Sequence, residues 1–196
     1  MQKKIIVACS GGPDSMALLD KLYKQGHTII VAHVNYHKRD TANRDEKIVR
    51  DYCQERSIEV EVQEPTFDNK SNFQSWARKV RYDFFFELAA KNDTDQIYVA
   101  HHLDDHLETY LFQKSRNMLC DHYGLKSENI MKGMKIIRPL LHETKTQLME
   151  YCDQNNIEYG IDESNLGNDY TRNKIRHSRI EKMSLLEKLR LNEEIQ

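Results

Sequence analysis

The chain has 196 residues, 39% hydrophobic and 31% charged, with a formal net charge of −2. This length suits one domain with at most a short appendage, and the composition excludes disordered and fibrous proteins. The nearly balanced charge excludes a polycation, so a nucleic-acid contact would need a local basic patch. The 4 cysteines form no C-x-x-C pair, which argues against a zinc knuckle or an iron–sulfur site. We expect reduced thiols and a cytoplasmic protein.

Short apolar runs alternate with amphipathic stretches, a pattern typical of strand–helix–strand units around a parallel sheet. The predicted strands are Ile5–Cys9, Thr28–Asn35, Glu59–Gln63, Gln96–Ala100 and Ile136–Leu141. The predicted helices are Asp14–Gln25, Ala42–Arg56, Phe73–Lys91, Asp104–Lys114 and Glu143–Asn155, with a helical tail over Asn173–Leu191. The pattern predicts an α/β fold, an open parallel sheet with helices on both faces. The segment 115–133 fits several arrangements.

The N-terminal apolar run is too short for a signal peptide, so we interpret it as the first strand and expect no membrane association. It leads directly into the hexapeptide Ser10–Ser15, SGGPDS, and then into an apolar helix. Glycines let the backbone approach a phosphate and take positive φ, and a helix N-terminus offers free N–H groups. No Walker A lysine and no G-x-G-x-x-G are present. These residues predict a phosphate-binding turn, with an ordinary capped turn as the alternative.

A second polar cluster, His101–Thr109 of sequence HHLDDHLET, follows the fourth predicted strand. Ligands of open parallel sheets bind at the carboxyl ends of strands. Asp105 and Glu108 would share the first turns of one helix, where they could approach phosphates if magnesium bridges them. Two alternatives stay open: a capping Asp with surface histidines, and a zinc site that combines Asp105 with His102 and His106.

Basic residues concentrate near the C-terminal end of the chain. They are Arg172, Lys174, Arg176, His177, Arg179 and Lys182. Such a stretch is either a solvated helix face or a contact for an RNA backbone, and the sequence does not choose between the two.

Together these motifs resemble the tRNA(Ile)-lysidine synthetase family of PP-loop ATP pyrophosphatases. Ser10–Ser15 matches the S-G-G-x-D-S loop of the superfamily, and His101–Thr109 matches the H-x-x-D-D-x-x-E-T signature of the family. Further matches follow in order: A-R-x-x-R-Y at Ala77–Tyr82, R-P-L-L-x-x-x-K at Arg138–Lys145, D-x-S-N at Asp162–Asn165 and R-N-x-I-R at Arg172–Arg176. One departure is Lys114–Cys120, which has no glycine where family members usually carry a glycine-rich loop.

The resemblance implies a Rossmann-like PP-loop fold, with an adenylating domain over residues 1–168 and a basic helical tail over 169–196. It implies a short form without the family's C-terminal tRNA-binding domains. ATP with magnesium would adenylate the wobble cytidine of an isoleucine tRNA with a CAU anticodon. Free L-lysine would then displace AMP to form lysidine. A homodimer is left open. Two other functions also stay open: a tRNA thiolase, which the absence of a C-x-x-C pair disfavours, and a non-catalytic adenine-nucleotide-binding module. The carboxylates of Asp14, Asp104 and Asp105 disfavour the binding module.

The resemblance also implies roles for individual residues. Those implied to be catalytic are Asp14, His101, Asp105, Arg172 and Arg176. Those implied to bind ATP are Ser10, Gly11, Gly12, Asp14, Ser15 and Arg81, with Asp14 and Asp105 holding magnesium. Those implied to meet lysine or tRNA are Asp104, Glu108 and Arg78, without a choice of which carboxylate takes the lysine ammonium. We expect His101 to matter more for activity than His102 or His106.

Overall fold

A 6-stranded sheet organises the residues that this computed structural model describes, 3–67, 72–161 and 170–195, with the side chains of 170–173 left out of the description. The strands are β1 (Lys4–Ala8), β2 (Thr28–Val34), β3 (Glu59–Gln63), β4 (Gln96–Tyr98), β5 (Glu128–Met131) and β6 (Met134–Ile137). Their order is β3-β2-β1-β4-β6-β5, and only β5 runs antiparallel to its neighbour. The strand order reverses between β1 and β4, the point where open sheets of this kind bind ligands.

Seven helices accompany the sheet in the described part of the chain. They are α1 (Pro13–Lys24), α2 (Ala42–Glu55), α3 (Phe73–Lys91), α4 (Leu103–Ser115), α5 (Lys145–Gln154), α6 (Tyr170–Ser178) and α7 (Leu185–Glu193), with a 3-10 turn at Ile180–Lys182. Several helices have a side-chain cap at the N-terminus. At α3, the side chain of Asn72 accepts the N–H groups of Gln74 and Ser75, which have no hydrogen-bond partner within the helix. No helix within the described ranges is long and apolar enough to cross a bilayer.

Alternating side chains of the central strands divide the core between the two faces of the sheet. Ile5 and Val7 pack with buried residues of α1, α2 and α5, whereas Ile6 packs with Phe85 and its neighbours on α3. This period of two is what a strand covered on both faces requires. The predicted α/β fold with helices on both faces is therefore confirmed.

A third apolar cluster joins the C-terminal helices to α4. Leu103, Leu107 and Tyr110 of α4 are buried together with Ile180, and Ile175 packs against them. Burying a large aliphatic side chain contributes about 1.5–3 kcal/mol, so this cluster fixes α6 and the 3-10 turn against the helix that carries the second polar motif.

The structure differs from the predicted elements mainly in the last third of the sheet. The strand predicted at Ile136–Leu141 ends at Ile137, because Pro139 has no N–H to extend a ladder. Within 115–133, β5 forms a hairpin with β6 through Lys132 and Gly133, both at positive φ (50° and 81°). Two-residue hairpin turns of this kind usually contain Asn-Gly or Asp-Gly, so the Lys-Gly sequence does not predict a hairpin here. The tail comprises two helices, since Ser184 caps a new one. The predicted boundary at 168 lies outside the described residues.

Candidate active site

The hexapeptide forms a tight turn between β1 and α1. Gly11 has a φ of 89°, and a Cβ built there would lie 2.7 Å from the carbonyl oxygen of Asp45, so only glycine fits. Gly12, with a φ of −78°, does not take the predicted positive φ. The hydroxyl of Ser15 accepts from the N–H of Ser10 (3.1 Å) and donates to the carbonyl of Gly12 (3.0 Å). The turn thus presents the N-terminus of α1, with its positive potential, at the carboxyl end of β1.

The second polar motif begins α4 and brings its carboxylates to the first. The N–H of His102 donates to Oδ2 of Asp105 (3.0 Å). Its ring, 5% exposed, places Nε2 3.4 Å from Oδ2 of Asp105 and 3.6 Å from Oδ2 of Asp14. Nδ1 lies 3.7 Å from Oδ2 of Asp104. Residues about 90 positions apart in the chain therefore meet at one imidazole.

Three carboxylates around His102 determine its protonation. Burial by itself would lower the pKa of His102, but the hydrogen bond to Asp14 and the charges of Asp105 and Asp104 outweigh burial and leave this pKa raised. The raised pKa means that these carboxylates favour the protonated ring. From the sequence, His102 is expected to matter less than His101. The pair of histidines at the end of a buried strand is the sequence feature that could have indicated a role for both.

His101, the other histidine of the doublet, faces cations. Nε of Arg138 donates to Nδ1 of His101 (3.3 Å). Burial, with the charges of Arg138, Arg81 and Arg78, lowers the pKa of His101 to about 4, although the charge of Asp105 acts in the opposite direction. The pKa values of the two adjacent histidines are therefore shifted in opposite directions. Sequence analysis matched Arg138 to a family element without giving it a role.

The C-terminal helices supply cations to the carboxylates of α4. Nε of Arg176 donates to Oε2 of Glu108 (2.8 Å), and its Nη2 donates to Oδ1 of Asp105 (3.2 Å). Lys188 of α7, 7% exposed, forms an ion pair with Asp104, which also accepts the N–H of Lys145 (2.7 Å). The role of Lys188 is not predictable from the sequence, because a single lysine in an amphipathic helix resembles any solvent-exposed lysine.

Several predicted residues contribute less, or lie elsewhere. Nδ1 of His106 accepts the N–H of Leu125 (2.9 Å), which directs this ring toward the segment before β5. Within the described ranges no three His, Cys, Asp or Glu side chains are grouped to hold a metal ion. The side chain of Arg172 and the D-x-S-N element at Asp162–Asn165 lie outside the described residues.

A cavity of about 230 Å³ opens between the carboxyl ends of the central strands and α3. Its polar lining comes from both motifs, from α3 and from the residues after β2: Ser10, Asp14, Ser15, His101, Arg81 and Tyr36. Its apolar lining comes from strand ends and α3: Ala8, Ala32, Val34, Phe85 and Val99. A cavity with one apolar and one charged side suits a ligand that joins a flat ring to phosphates. Arg78 is exposed on the same helix, with its Cζ 4.8 Å from the centre of the Tyr82 ring.

The residues beside this cavity fit a magnesium ion. Oδ1 of Asp14 is buried and has no hydrogen-bond partner among the described residues. Asp14 and Asp105 both approach Nε2 of His102, so their carboxylates lie on the same side of the site. Protein magnesium sites commonly use one or two carboxylates and take their other oxygen ligands from phosphates and water.

A family model described as the PP-loop domain matches residues 1–183. The tRNA(Ile)-lysidine synthase of Mycoplasmopsis pulmonis is 46% identical over 179 residues, which cover 90% of this chain and 62% of the relative. That of Ureaplasma parvum is 42% identical over 180 residues, covering 89% and 54%. The chain thus spans little more than half the length of these two curated relatives.

Solved structures resemble the fold at low sequence identity. The U34-tRNA thiolase of Methanococcus maripaludis has a TM-score of 0.78 at 18% identity, over 98% of this chain and 70% of that one. The NMN synthetase of Francisella tularensis has a TM-score of 0.58 at 14% identity, over 97% of this chain and 82% of that one. Likeness at this identity concerns the fold alone.

Proposed function

This chain belongs to the PP-loop domain family, and from that membership we propose that it binds ATP in the cavity and transfers AMP to a substrate oxygen, releasing pyrophosphate. The observation that carries the proposal is the meeting of Asp14 and Asp105, from two separate motifs, at His102 beside the cavity. A module that only binds adenine nucleotide has no need of carboxylates beside the phosphates, because they repel one another unless a cation intervenes.

Each part of the proposed ATP site has a counterpart in the geometry. The N–H groups at the start of α1, with the hydroxyls of Ser10 and Ser15, would hold phosphate oxygens. The apolar wall would take the adenine. Arg81, which lines the cavity, would bind a phosphate of ATP or of the AMP. Asp14 and Asp105 would hold magnesium, which when bound would neutralise charge on the departing pyrophosphate.

We propose that the substrate is the wobble cytidine of an isoleucine tRNA with a CAU anticodon, and that free L-lysine is the second substrate. Support comes from the two relatives called tRNA(Ile)-lysidine synthase, at 46% and 42% identity. The oxygen on ring carbon 2 of the cytidine would attack the α-phosphate. The ε-amine of lysine would then displace AMP, which carries that oxygen away. A cytoplasmic enzyme is proposed with this function, with a homodimer left open.

The lysine ammonium would be met by Asp104 or Glu108. Both are already paired with cations of this chain, Asp104 with Lys188 and Glu108 with Arg176. We propose that an entering ammonium competes with these cations. Arg78, exposed on α3, would contact the tRNA backbone, and Arg172 with Arg176 would contact the adenylate or the tRNA.

One incubation tests the function. The protein, ATP, magnesium, L-lysine and a transcript of isoleucine tRNA with a CAU anticodon are combined, and AMP, pyrophosphate and the mass of the tRNA are measured. The proposal predicts a tRNA heavier by one lysine less one water, only when lysine is present. A gain equal to sulfur replacing oxygen, with a sulfur donor supplied, would indicate a thiolase. ATP binding without AMP or pyrophosphate would indicate a binding module.

A further inference from the structure

Arg138 is a buried cation at the carboxyl end of β6, with an exposure of 7%. Its Nη1 donates to the carbonyl of Lys126 (2.9 Å) and to Oδ1 of Asn129 (2.7 Å). Its own N–H donates to the carbonyl of Ser127 (2.8 Å). All three acceptors lie in or just before β5, within the segment 115–133 whose structure the sequence leaves open. The segment therefore holds Arg138 in one orientation.

A further contact of Arg138 restricts the imidazole of His101. Guanidinium nitrogens carry only hydrogen-bond donors, so the Nε of Arg138 must donate to Nδ1 of His101. Nδ1 then needs a free lone pair. In a neutral imidazole this leaves the hydrogen on Nε2. A protonated ring, or the tautomer with the hydrogen on Nδ1, would set two donors against each other across 3.3 Å.

We propose that Arg138 is a positioning residue that fixes His101 as the neutral Nε2–H tautomer, so that His101 offers the ligand of the cavity a hydrogen-bond donor and not a base. His101 lines the cavity and so is in place to meet a ligand oxygen. The donor role toward substrate rests on the proposed function, whereas the tautomer itself does not.

The charges around His101 agree with this assignment. Burial and the charges of Arg138 after β6 and of Arg81 and Arg78 on α3 lower its pKa to about 4, against the single opposing charge of Asp105 on α4. The neutral ring therefore persists over the whole range around neutrality. A group of this kind cannot take a proton from an attacking amine near neutral pH.

The tautomer is read directly by nuclear magnetic resonance of protein labelled with nitrogen-15 in histidine, in long-range proton–nitrogen correlations recorded across pH. The chain has 9 histidines, and His101→Gln assigns the signal of His101 by its absence. In the unmodified protein we expect one tautomer, hydrogen on Nε2, from neutral pH down to about pH 4. A hydrogen on Nδ1, or a mixture of tautomers, would overturn the proposal.

Variants separate the charge of Arg138 from its hydrogen bond. Arg138→Met should give a mixture of tautomers and a higher pKa for His101, since both the donor and the charge are lost. Arg138→Lys should keep the pKa low but still give the mixture, because a point charge cannot reproduce the planar fork. A folded Arg138→Met protein with an unchanged His101 signal would refute the assignment.

A second site keeps the test decisive if Arg138→Met fails to fold. Asn129→Ala removes one anchor of Arg138 from a half-buried position and should shift the His101 signal in the same direction, by less. No shift would count against the proposal. Ile130→Thr changes the neighbouring residue of β5, 73% exposed, and should leave His101 unaltered.

With tRNA and lysine, Arg138→Met should lower kcat up to about a hundredfold with little change in KM for ATP. An inactive unmodified protein with the expected tautomer would reject the function alone.

Discussion

The turn after β1 and the first turn of α4 hold their polar groups by different means. Ser10–Ser15 is held by local hydrogen bonds, with Ser15 bridging Ser10 and Gly12, and by one distant backbone bond, from the N–H of Gly160 to the carbonyl of Gly11 (2.7 Å). The carboxylates of α4 are instead held by side chains from distant parts of the chain, Arg176 and Lys188. The side-chain hydrogen bonds of the first region are therefore local in the chain. The second is complete only when the C-terminal helices pack on α4.

The largest effect should come from the carboxylates where the two regions meet. Asp14→Asn and Asp105→Asn should each lower pyrophosphate release by about 100-fold or more, because both serve the proposed metal–phosphate site. Asparagine keeps the shape of each side chain, and at position 105 its oxygen can still accept the N–H of His102. Circular dichroism should therefore show an intact fold. Asp51→Asn is the matched control, an exposed carboxylate paired with Lys47 on α2. Near-normal turnover in either variant would remove the assignment.

The next test compares two histidines of α4. From the sequence His102 and His106 are both expected to matter less than His101, but the structure puts His102 among three carboxylates and His106 against Leu125. His102→Gln should therefore lower the rate of AMP formation by roughly 10–100-fold, as the loss of a group that orients metal ligands does. His106→Gln should change it little. Equal losses in both would return His102 to a minor role.

The same contrast explains which parts of the site could be predicted from the sequence. A phosphate-binding turn needs only adjacent residues, so Gly11 and the start of α1 could be predicted from the chain order strand, glycine, helix. The partners of Asp104 could not, because Lys188 lies 84 positions further on and nothing local distinguishes it from other lysines of an amphipathic helix. The hairpin before Arg138 could not be predicted for a different reason, since its Lys132-Gly133 turn departs from the usual residue preference.

Lys188 tests whether the second region depends on the C-terminal helices. Its ion pair with Asp104 is buried, with side-chain exposures of 9% and 10%. Breaking such a pair leaves an uncompensated charge, so Lys188→Met should lower the free energy of unfolding by about 3–5 kcal/mol in urea titrations. Adding Asp104→Asn should recover part of that loss. Lys174→Met, at an exposed position of α6, is the control and should cost little. Equal stability of both lysine variants would show that α7 is held by its apolar contacts alone.

The smallest effect concerns the salt dependence of tRNA binding, in which Arg172 and Arg176 were expected to act together. Arg176 is already committed to Glu108 and Asp105, and the pKa of its guanidinium is raised because these carboxylates outweigh burial. A cation neutralised by two carboxylates releases few counterions from RNA. Arg176→Gln should therefore slow activation at saturating tRNA while the slope of log affinity against log salt stays unchanged. Arg172→Gln should flatten that slope by roughly one unit if this side chain meets a phosphate. A flatter slope for Arg176→Gln with normal activation would mean that Arg176 leaves its carboxylates when tRNA binds.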